Sequence, residues 1–424
     1  MEKRFIPSRV LVPLFTLSVF APVSAEDWPQ WRGPNRDGKS AETGIIRSWE
    51  EHPPKLLWMT EGMGGGYSSV AVVDGKVFTT GNLPDGQGVI AVDAADGKVL
   101  WSEVITDKIP KHGYGGARSA PSVDGDLLYV TTSDGTIACL TTDGKKKWQK
   151  EFKKEWDGKM MSGWGFAESP LVDGDNVICT PGGPKAMMVA LDKRTGRTKW
   201  KARMEDIGPK GKDGAGYGSV VVTEAGGVRQ YVQMTGRGVI GVRADDGEFL
   251  WGYNKVANQT ANIPSPVVAG QHILASTGYG TGSALIRLKQ KGRDEVSAEE
   301  VYFLAPKTLQ NHHGGLILHN GYIFAGHGHN NGMPICLDIE TGEVMWGPEK
   351  GVGHGSAAIT YADGHLIFRY QSGHVALIEA TEEAYRLKGS FMPEHQEKES
   401  WAHPVISGGK LYLREQDKLM CYQL

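Results

Sequence analysis

Ala91-Val92-Asp93-Ala94-Ala95-Asp96-Gly97-Lys98-Val99-Leu100-Trp101 recurs along this chain of 424 residues. In each of four further copies a Gly is again followed, four residues later, by a Trp. These copies end at Trp148, Trp200, Trp251 and Trp346. A motif that returns at a regular interval is typical of a repeat architecture, in which each unit buries its apolar surface against its neighbours.

Each motif lies inside a longer unit of four apolar runs. The first two runs of every unit are joined by a glycine turn, and a third run and the Trp-bearing fourth run follow. The eight turn glycines, 43 to 52 residues apart, are Gly75, Gly125, Gly174, Gly226, Gly270, Gly321, Gly364 and Gly409. The runs are rich in β-branched and aromatic residues, as strands are. Four antiparallel strands in a unit of this length predict a propeller blade.

The ends of the chain predict how the ring closes. The eighth unit stops after its third run, at Met420-Cys421-Tyr422-Gln423-Leu424, whereas Lys55-Leu56-Leu57-Trp58 precedes the first complete unit. We therefore expect an all-β, eight-bladed propeller of four-stranded antiparallel blades, in which the N-terminal strand completes the last blade. Such closure removes the exposed sheet edges of an open ring.

Two units depart from the motif. The fifth has Lys291-Gly292 and a longer outer hairpin without Trp, and the seventh has Glu382-Glu383 in place of the glycine turn. The recurring indoles are predicted to cover apolar area between blades and to donate to turn carbonyls, which is a structural role. The predicted structural tryptophans are Trp58, Trp101, Trp148, Trp200, Trp251 and Trp346.

The N-terminus predicts export. Basic residues, an apolar run and Val23-Ser24-Ala25 make residues 1–25 a signal peptide, cleaved near Ala25 to give a periplasmic or secreted protein. Residues 26–46 are predicted to be an irregular leader packed on the propeller, which would occupy residues 47–424. The apolar run is too short to span a membrane, and no cysteine near the cleavage site could carry a lipid.

The net charge narrows the possible partners. Cleavage would remove three basic residues and one acidic residue, taking the net charge from −3 to −5, which argues against nucleic acid. We expect a monomer that binds an envelope protein, a peptide or a small ligand.

Cys139, Cys179, Cys336 and Cys421 all lie in strand-like runs, which favours buried free thiols over disulfides.

The pattern A-x-D-x-x-T-G-x-x-x-W resembles the repeat of the pyrroloquinoline-quinone-like (PQQ-like) eight-bladed propellers, over about residues 27–424. That family contains quinoprotein dehydrogenases of alcohols and sugars, and also the non-catalytic, BamB-like scaffolds of outer-membrane assembly. The motif is specific for the fold and a poor guide to function.

The dehydrogenase branch implies PQQ as cofactor, with Ca²⁺ bound by a carboxylate in the third blade and a catalytic Asp after the fourth blade's Trp. The corresponding loop here, Pro181-Gly182-Gly183-Pro184-Lys185-Ala186, carries no carboxylate, and neither does the segment from Gly252 to Asn262. Without these carboxylates, the Ca²⁺ that accompanies the quinone lacks a ligand and alcohol oxidation lacks a general base. PQQ with Ca²⁺ is therefore disfavoured, and we predict no catalytic residue.

Loops that lead into the innermost strands of a propeller surround the mouth of its channel, where ligand sites form. Each blade offers a polar or aromatic group there. The predicted funnel residues are Tyr67, Arg118, Trp164, Glu168, Tyr217, Asn262, His313, His354 and His403. The competing interpretation is that the glycines let strands crowd the axis and the polar groups cap strand ends.

A histidine-rich loop is the third candidate. His327 and His329 lie in Gly326-His327-Gly328-His329-Asn330-Asn331-Gly332, expected on the same face as His312 and His313. Histidine is a common transition-metal ligand, although no Cys or carboxylate accompanies this loop. The sequence thus favours a non-catalytic binding or assembly scaffold, with a quinoprotein dehydrogenase and a metal or small-ligand binder as alternatives.

Overall fold

A computed structural model describes residues 26–46 and 48–424. The proposed signal peptide, residues 1–25, lies outside the described residues. Strands dominate the described chain, with one short helix, α1 (Phe152–Trp156), and one 3-10 turn at Ala225–Gly227. No helix of these residues has the length and apolar character that crossing a bilayer requires.

The strands form eight separate four-stranded antiparallel sheets. The first half of the chain contains β1 (Lys55–Glu61), β2 (Ala71–Val73), β3 (Lys76–Leu83), β4 (Gly86–Asp93), β5 (Val99–Thr106), β6 (Ser122–Asp124), β7 (Leu127–Thr131), β8 (Thr136–Thr141), β9 (Lys146–Glu151), β10 (Leu171–Asp173), β11 (Asn176–Cys179), β12 (Met188–Asp192), β13 (Thr198–Ala202), β14 (Val221–Thr223), β15 (Gln230–Thr235), β16 (Gly238–Arg243) and β17 (Phe249–Tyr253). The second half contains β18 (Val267–Ala269), β19 (His272–Thr277), β20 (Gly282–Gln290), β21 (Val296–Leu304), β22 (Leu316–His319), β23 (Tyr322–His327), β24 (Met333–Asp338), β25 (Val344–Trp346), β26 (Ala357–Ala362), β27 (His365–Tyr370), β28 (Val375–Glu379), β29 (Leu387–Phe391), β30 (Val405–Ser407), β31 (Lys410–Glu415) and β32 (Lys418–Gln423).

The sheets confirm the predicted eight-bladed propeller and its closure. Seven blades are four consecutive strands, and the eighth has the order β30-β31-β32-β1. In that blade Trp58 of β1 lies opposite Cys421 of β32. The N-terminal strand therefore completes the last blade, so that the two ends of the ring are held by one sheet.

The apolar core lies between neighbouring blades. One cluster joins Val72 and Ile90 of the first blade to Tyr412 and Leu419 of the eighth, and the other blade pairs are packed in the same way. Cys139, Cys179, Cys336 and Cys421 are all buried and free. Stability thus comes from contacts between blades, as expected for a unit that cannot bury its apolar surface alone.

Most motif tryptophans connect a blade to the next one. The indole N–H of Trp58 donates to the carbonyl of Ala94 in the next blade's turn at 3.3 Å. Equivalent bonds of 2.8 to 3.1 Å join Trp101 to Thr142, Trp148 to Lys193, Trp200 to Ala244 and Trp346 to Thr381. Trp58, Trp101, Trp148 and Trp200 also pack on a glycine of the neighbouring turn, as Trp148 does on Gly196, whereas the turn that Trp346 meets has no glycine.

The degenerate fifth blade changes this connection. Trp251, which faces that blade, donates instead to Gln230 of its own blade at 2.6 Å. At the position of the missing tryptophan, the hydroxyl of Tyr302 donates to the carbonyl of Ile339 at 2.8 Å. A phenol therefore replaces the indole as the donor from the fifth blade to the sixth.

Candidate functional site

The candidate site is a funnel of about 390 Å³ at the end of the channel where the innermost strands begin. Loops from most of the blades form its wall, and the leader contributes to it as well. The side chains that line it are mainly aromatic rings, histidines and arginines: Trp31, Arg32, Tyr67, Tyr114, Arg118, Trp164, Tyr217, Tyr279, His312, His313, His329, Trp401 and His403. No carboxylate side chain belongs to the lining among the described residues.

The leader crosses the ring beneath this funnel. Trp28 exchanges backbone hydrogen bonds with Val72 of the first blade, and Arg36 donates to the carbonyl of Ser169 near the third at 2.8 Å. The leader then returns to the eighth blade, the neighbour of the first, where both carboxylate oxygens of Glu42 accept backbone N–H groups of the turn at 2.6 and 2.7 Å. Trp31, between these anchors, packs its ring against His403 with centroids 4.5 Å apart. The leader thereby supplies the floor of the funnel.

Trp401 is the centre of an aromatic wall. Its ring centroid lies 4.8 Å from Tyr67, 4.8 Å from Tyr114 and 4.7 Å from His313. Its N–H donates to the Gln371 side chain at 2.9 Å, which fixes the plane of the indole. An indole held in this orientation can pack against the flat face of a ring in a ligand.

The opposite wall combines Tyr279 with two histidines. The Tyr279 ring lies 4.3 Å from His329 and 5.1 Å from His312, centroid to centroid. The two ring nitrogens of His312 lie 2.8 Å from Ser356 Oγ and 3.0 Å from the Tyr279 hydroxyl. Every polar atom of this imidazole therefore has a protein partner.

The histidines of the funnel are neutral at physiological pH. Burial lowers the pKa of His312 and of His403 to about 3, and neighbouring positive or titrating groups contribute. Burial also holds the pKa of His313 well below its ordinary value of 6.5. Nε2 of His403 lies 3.2 Å from the carbonyl oxygen of His313 and must donate to it, so Nδ1 of this neutral ring is an acceptor.

Six of the nine funnel residues predicted from the sequence line the cavity. They are Tyr67, Arg118, Trp164, Tyr217, His313 and His403. Their blades bring them together because the loops that lead into the innermost strands all converge on the channel mouth.

The other three lie elsewhere. Glu168 is 3% exposed, and its carboxylate accepts hydrogen bonds from Thr180 N at 2.6 Å, Thr180 Oγ1 at 2.8 Å and Gln233 Nε2 at 3.0 Å. Asn262 is fully buried and donates to the carbonyl of Thr235 at 2.9 Å. His354 is exposed to solvent outside the lining. The first two side chains serve the strand ends, which is the competing interpretation for those positions.

The histidine-rich loop lies on the funnel face but is divided. His329 lines the cavity, whereas His327 is 5% exposed and does not belong to the lining. Residues 26–46 and 48–424 contain no group of three or more His, Cys, Asp or Glu side chains arranged to hold a metal ion. The two histidines therefore do not form a ligand set on their own.

Several lining residues were not among the predicted ones. Trp31 comes from the leader, Tyr114 from the loop before β6, and Tyr279 from the loop between β19 and β20. His312 directly precedes His313, and Trp401 lies two residues before His403. An aromatic residue flanked by glycines, as in Gly113-Tyr114-Gly115 and Gly278-Tyr279-Gly280, is the signal that could have indicated two of them.

A calcium-bound quinone does not fit these residues. Ca²⁺ takes six to eight oxygen ligands in proteins and favours carboxylates. The lining supplies none, and both oxygens of the buried Glu168 are already occupied by Thr180 and Gln233. The donor set around the funnel is rich in aromatic rings and nitrogen instead.

Fold and repeat together define a PQQ-like eight-bladed β-propeller. Residues 86–348 match the PQQ_2 family model, described as "Outer membrane protein assembly factor BamB", and the chain belongs to this family. No curated protein sequence matches the chain.

Solved structures share the fold at low sequence identity. BamB from Moraxella catarrhalis is 12% identical with a TM-score of 0.62, over 88% of this chain and 98% of that one. A europium-containing methanol dehydrogenase is 13% identical with a TM-score of 0.61, over 93% and 89%. The quinohemoprotein alcohol dehydrogenase from Comamonas testosteroni is 12% identical with a TM-score of 0.63, over 93% and 80%. At such identities the likeness extends to the fold alone, and it includes both branches of the family.

Proposed function

We propose that this chain is an exported, non-catalytic binding propeller that recognises a ligand or an envelope partner through the funnel. The observation that carries this proposal is the funnel lining, which combines aromatic rings and neutral histidines with two arginines and has no described carboxylate. Pockets of this composition bind ligands. Oxidation of an alcohol, in contrast, requires a base that accepts the hydroxyl proton.

The buried carboxylate of Glu168 supports this choice. Glu168 would be the substitute base, yet its oxygens face Thr180 and Gln233 behind the wall. Burial raises its pKa to about 7, despite the hydrogen bonds and the nearby Arg36 guanidinium that act in the opposite direction. A group enclosed in this way stabilises strand ends and does not reach a substrate in the funnel.

The family supports a scaffold role. Its description is that of an assembly factor, and a rigid ring with outer strands at its rim offers surfaces for a partner in addition to the funnel. We infer a periplasmic or secreted location from residues 1–25, and the motif tryptophans act as blade connectors in this proposal.

Two measurements test the proposal. In the first, purified protein is incubated with PQQ and CaCl₂, separated from free quinone, and assayed for quinone absorbance and dye reduction with alcohols and sugars. We expect no Ca²⁺-dependent retention and no turnover. Stoichiometric quinone together with substrate-dependent dye reduction would establish the dehydrogenase instead.

The second measurement tests binding directly. A library of small ring compounds, neutral and charged, is screened against the protein by ligand-observed NMR. We expect hits that are lost in Trp401→Ala, which opens the aromatic wall, and retained in Val344→Ala, which changes an exposed residue of the outer strand β25. If no hit depends on Trp401, the funnel is not the binding site.

A further inference from the structure

Arg118 is a guanidinium in the funnel wall whose partners are all neutral. Nη1 donates to the carbonyl of Trp164 at 2.5 Å and lies 3.5 Å from His112 Nε2, while Nη2 donates to the carbonyl of Tyr114. The guanidinium carbon lies 5.9 Å from the centroid of the Tyr67 ring. No Asp or Glu forms an ion pair with Arg118 in the described chain. Since a guanidinium has five N–H donors, some remain available to a ligand.

A second guanidinium without an ion-pair partner belongs to the floor. Nη2 of Arg32, from the leader, donates to the backbone carbonyls of Asp37 at 2.9 Å and Leu316 at 2.5 Å, whereas Nη1 has no protein partner. Burial lowers the pKa of Arg32 and of Arg118 to about 10, so both remain protonated at neutral pH. The Asp37 carboxylate acts on Arg32 at longer range without pairing with it.

These two cations give the funnel a positive charge that its own lining does not balance. The histidines are neutral, and Glu399, which accepts a hydrogen bond from the Tyr67 hydroxyl at 3.3 Å, does not belong to the lining. An unpaired charge in an apolar, partly buried setting is unfavourable. A bound anion would remove that cost, and the planar fork of a guanidinium matches a carboxylate well.

The size and the walls of the funnel indicate what accompanies the anion. The volume of about 390 Å³ lies in the range of small-molecule sites. The rings of Trp401, Tyr67 and Tyr114 offer faces within contact distance of one another. Such a wall suits a flat ring, either aromatic or the apolar face of a pyranose.

We propose that the funnel binds a carboxylate attached to a flat ring, with the carboxylate on Arg118 and the ring against Trp401. This inference rests on the proposed function, because it names the ligand class of the same funnel. Aromatic acids and sugar acids share this chemistry, so the test includes one pair of compounds for each.

The experiment compares each acid with its uncharged counterpart. Affinities of benzoate and benzamide, and of glucuronate and glucose, are measured by ligand-observed NMR titration at pH 7.5. At least one acid is expected to bind about 10-fold or more tightly than its counterpart, because a hydrogen bond to a charged partner contributes more than a neutral one. Preference for benzoate identifies an aromatic acid as the ligand class, and preference for glucuronate identifies a sugar acid; both support the proposal.

Substitution of the guanidinium tests its role. Arg118→Gln should weaken acid binding about 10-fold to 100-fold and leave the uncharged compounds unchanged. Lys111→Gln is the matched control, because it removes one positive charge from an exposed position in the same loop, outside the lining. Arg118→Lys keeps the charge without the fork and should give an intermediate affinity. If Arg118→Gln does not fold, Arg118→Lys and the salt dependence of acid binding to the unaltered protein replace it.

Three results would overturn the proposal: equal affinity within both pairs, acid affinity that is unchanged in Arg118→Gln, or tighter binding of inorganic phosphate than of either acid. If acid and counterpart bind equally but both depend on Trp401, the funnel remains the binding site and only the ligand class is wrong. If no compound depends on Trp401, the proposed function fails as well.

Discussion

Replacing Glu168 by Gln should change how the protein's stability depends on pH. The carboxylate is 3% exposed, and burial raises its pKa from an ordinary value of 4.5 to about 7. In the unfolded chain the same group ionises near 4.5. Between these two values the folded protein therefore holds one more proton than the unfolded protein, and the free energy of unfolding falls as the pH rises.

The size of this effect follows from the two pKa values. The stability that the protonated group contributes is complete below pH 4.5 and is lost as the pH rises through about 7. One pH unit corresponds to about 1.4 kcal/mol, so the whole interval is worth about 3 kcal/mol. From pH 5 to pH 8 the expected loss is about 2 to 3 kcal/mol, since some ionisation of the unfolded chain has already occurred at pH 5.

The assay is urea unfolding of both proteins at pH 5 and pH 8. The difference in unfolding free energy between wild type and Glu168→Gln should shift by about 2 to 3 kcal/mol, in favour of the variant at the higher pH. The neutral histidines of the funnel have the opposite pH dependence, losing stability as the pH falls below 6.5, but they are present in both proteins and cancel. A difference that is the same at both pH values would refute the reasoning, since Glu168 would then be ionised throughout.

Two further experiments test contacts between blades. Gly196→Ala places a Cβ 2.6 Å from the Trp148 indole at a φ of +69°, whereas Gly174→Ala, at a φ of +56°, meets open space. We expect the free energy of unfolding, measured by urea unfolding, to fall by about 1 kcal/mol for Gly174→Ala and by about 2 to 4 kcal/mol for Gly196→Ala. Equal losses in the two variants would contradict the predicted clash. Glu415→Gln leaves the charge of Arg369 unpaired at a site where both side chains are 1% exposed and 2.8 Å apart, and should cost about 3 to 5 kcal/mol. Adding Arg369→Met should restore part of that loss, and a double variant no more stable than the single one would argue against a charge effect.

The blade count could be predicted from the sequence because it depends on local spacing, and the closure of the ring because the last blade lacked one strand while one run near the N-terminus had no blade of its own. Each turn glycine lies between the first two strands of a sheet, and the unpaired run that ends in Trp58 matches the strand missing after Leu424. Within a blade each strand pairs with its neighbour in sequence, and only the β1–β32 pair joins strands that are distant in the chain. Because the same spacing occurs in each unit, every copy supports the same prediction.

The candidate site was predictable only in part, because membership of a loop does not fix the direction of a side chain. Trp164 and Glu168 lie four residues apart, yet the first faces the funnel and the second turns behind it to accept hydrogen bonds from Thr180 and Gln233. Thr180 follows β11 and Gln233 belongs to β15 of the next blade, so the position of the carboxylate depends on contacts outside its own loop.

The leader shows a second reason for the limit. Trp31 and Arg32 belong to no repeat, and no local pattern indicates that residues 26–42 run from the first blade towards the third and back to the eighth. Their placement depends on groups from separate blades, such as the carbonyl of Ser169 that accepts from Arg36. A binding site whose floor comes from the leader and whose wall comes from the repeats can differ between family members while the repeats stay the same. This separation explains why the repeat identifies the fold of this chain and leaves its ligand to be inferred from the charges and rings of the funnel.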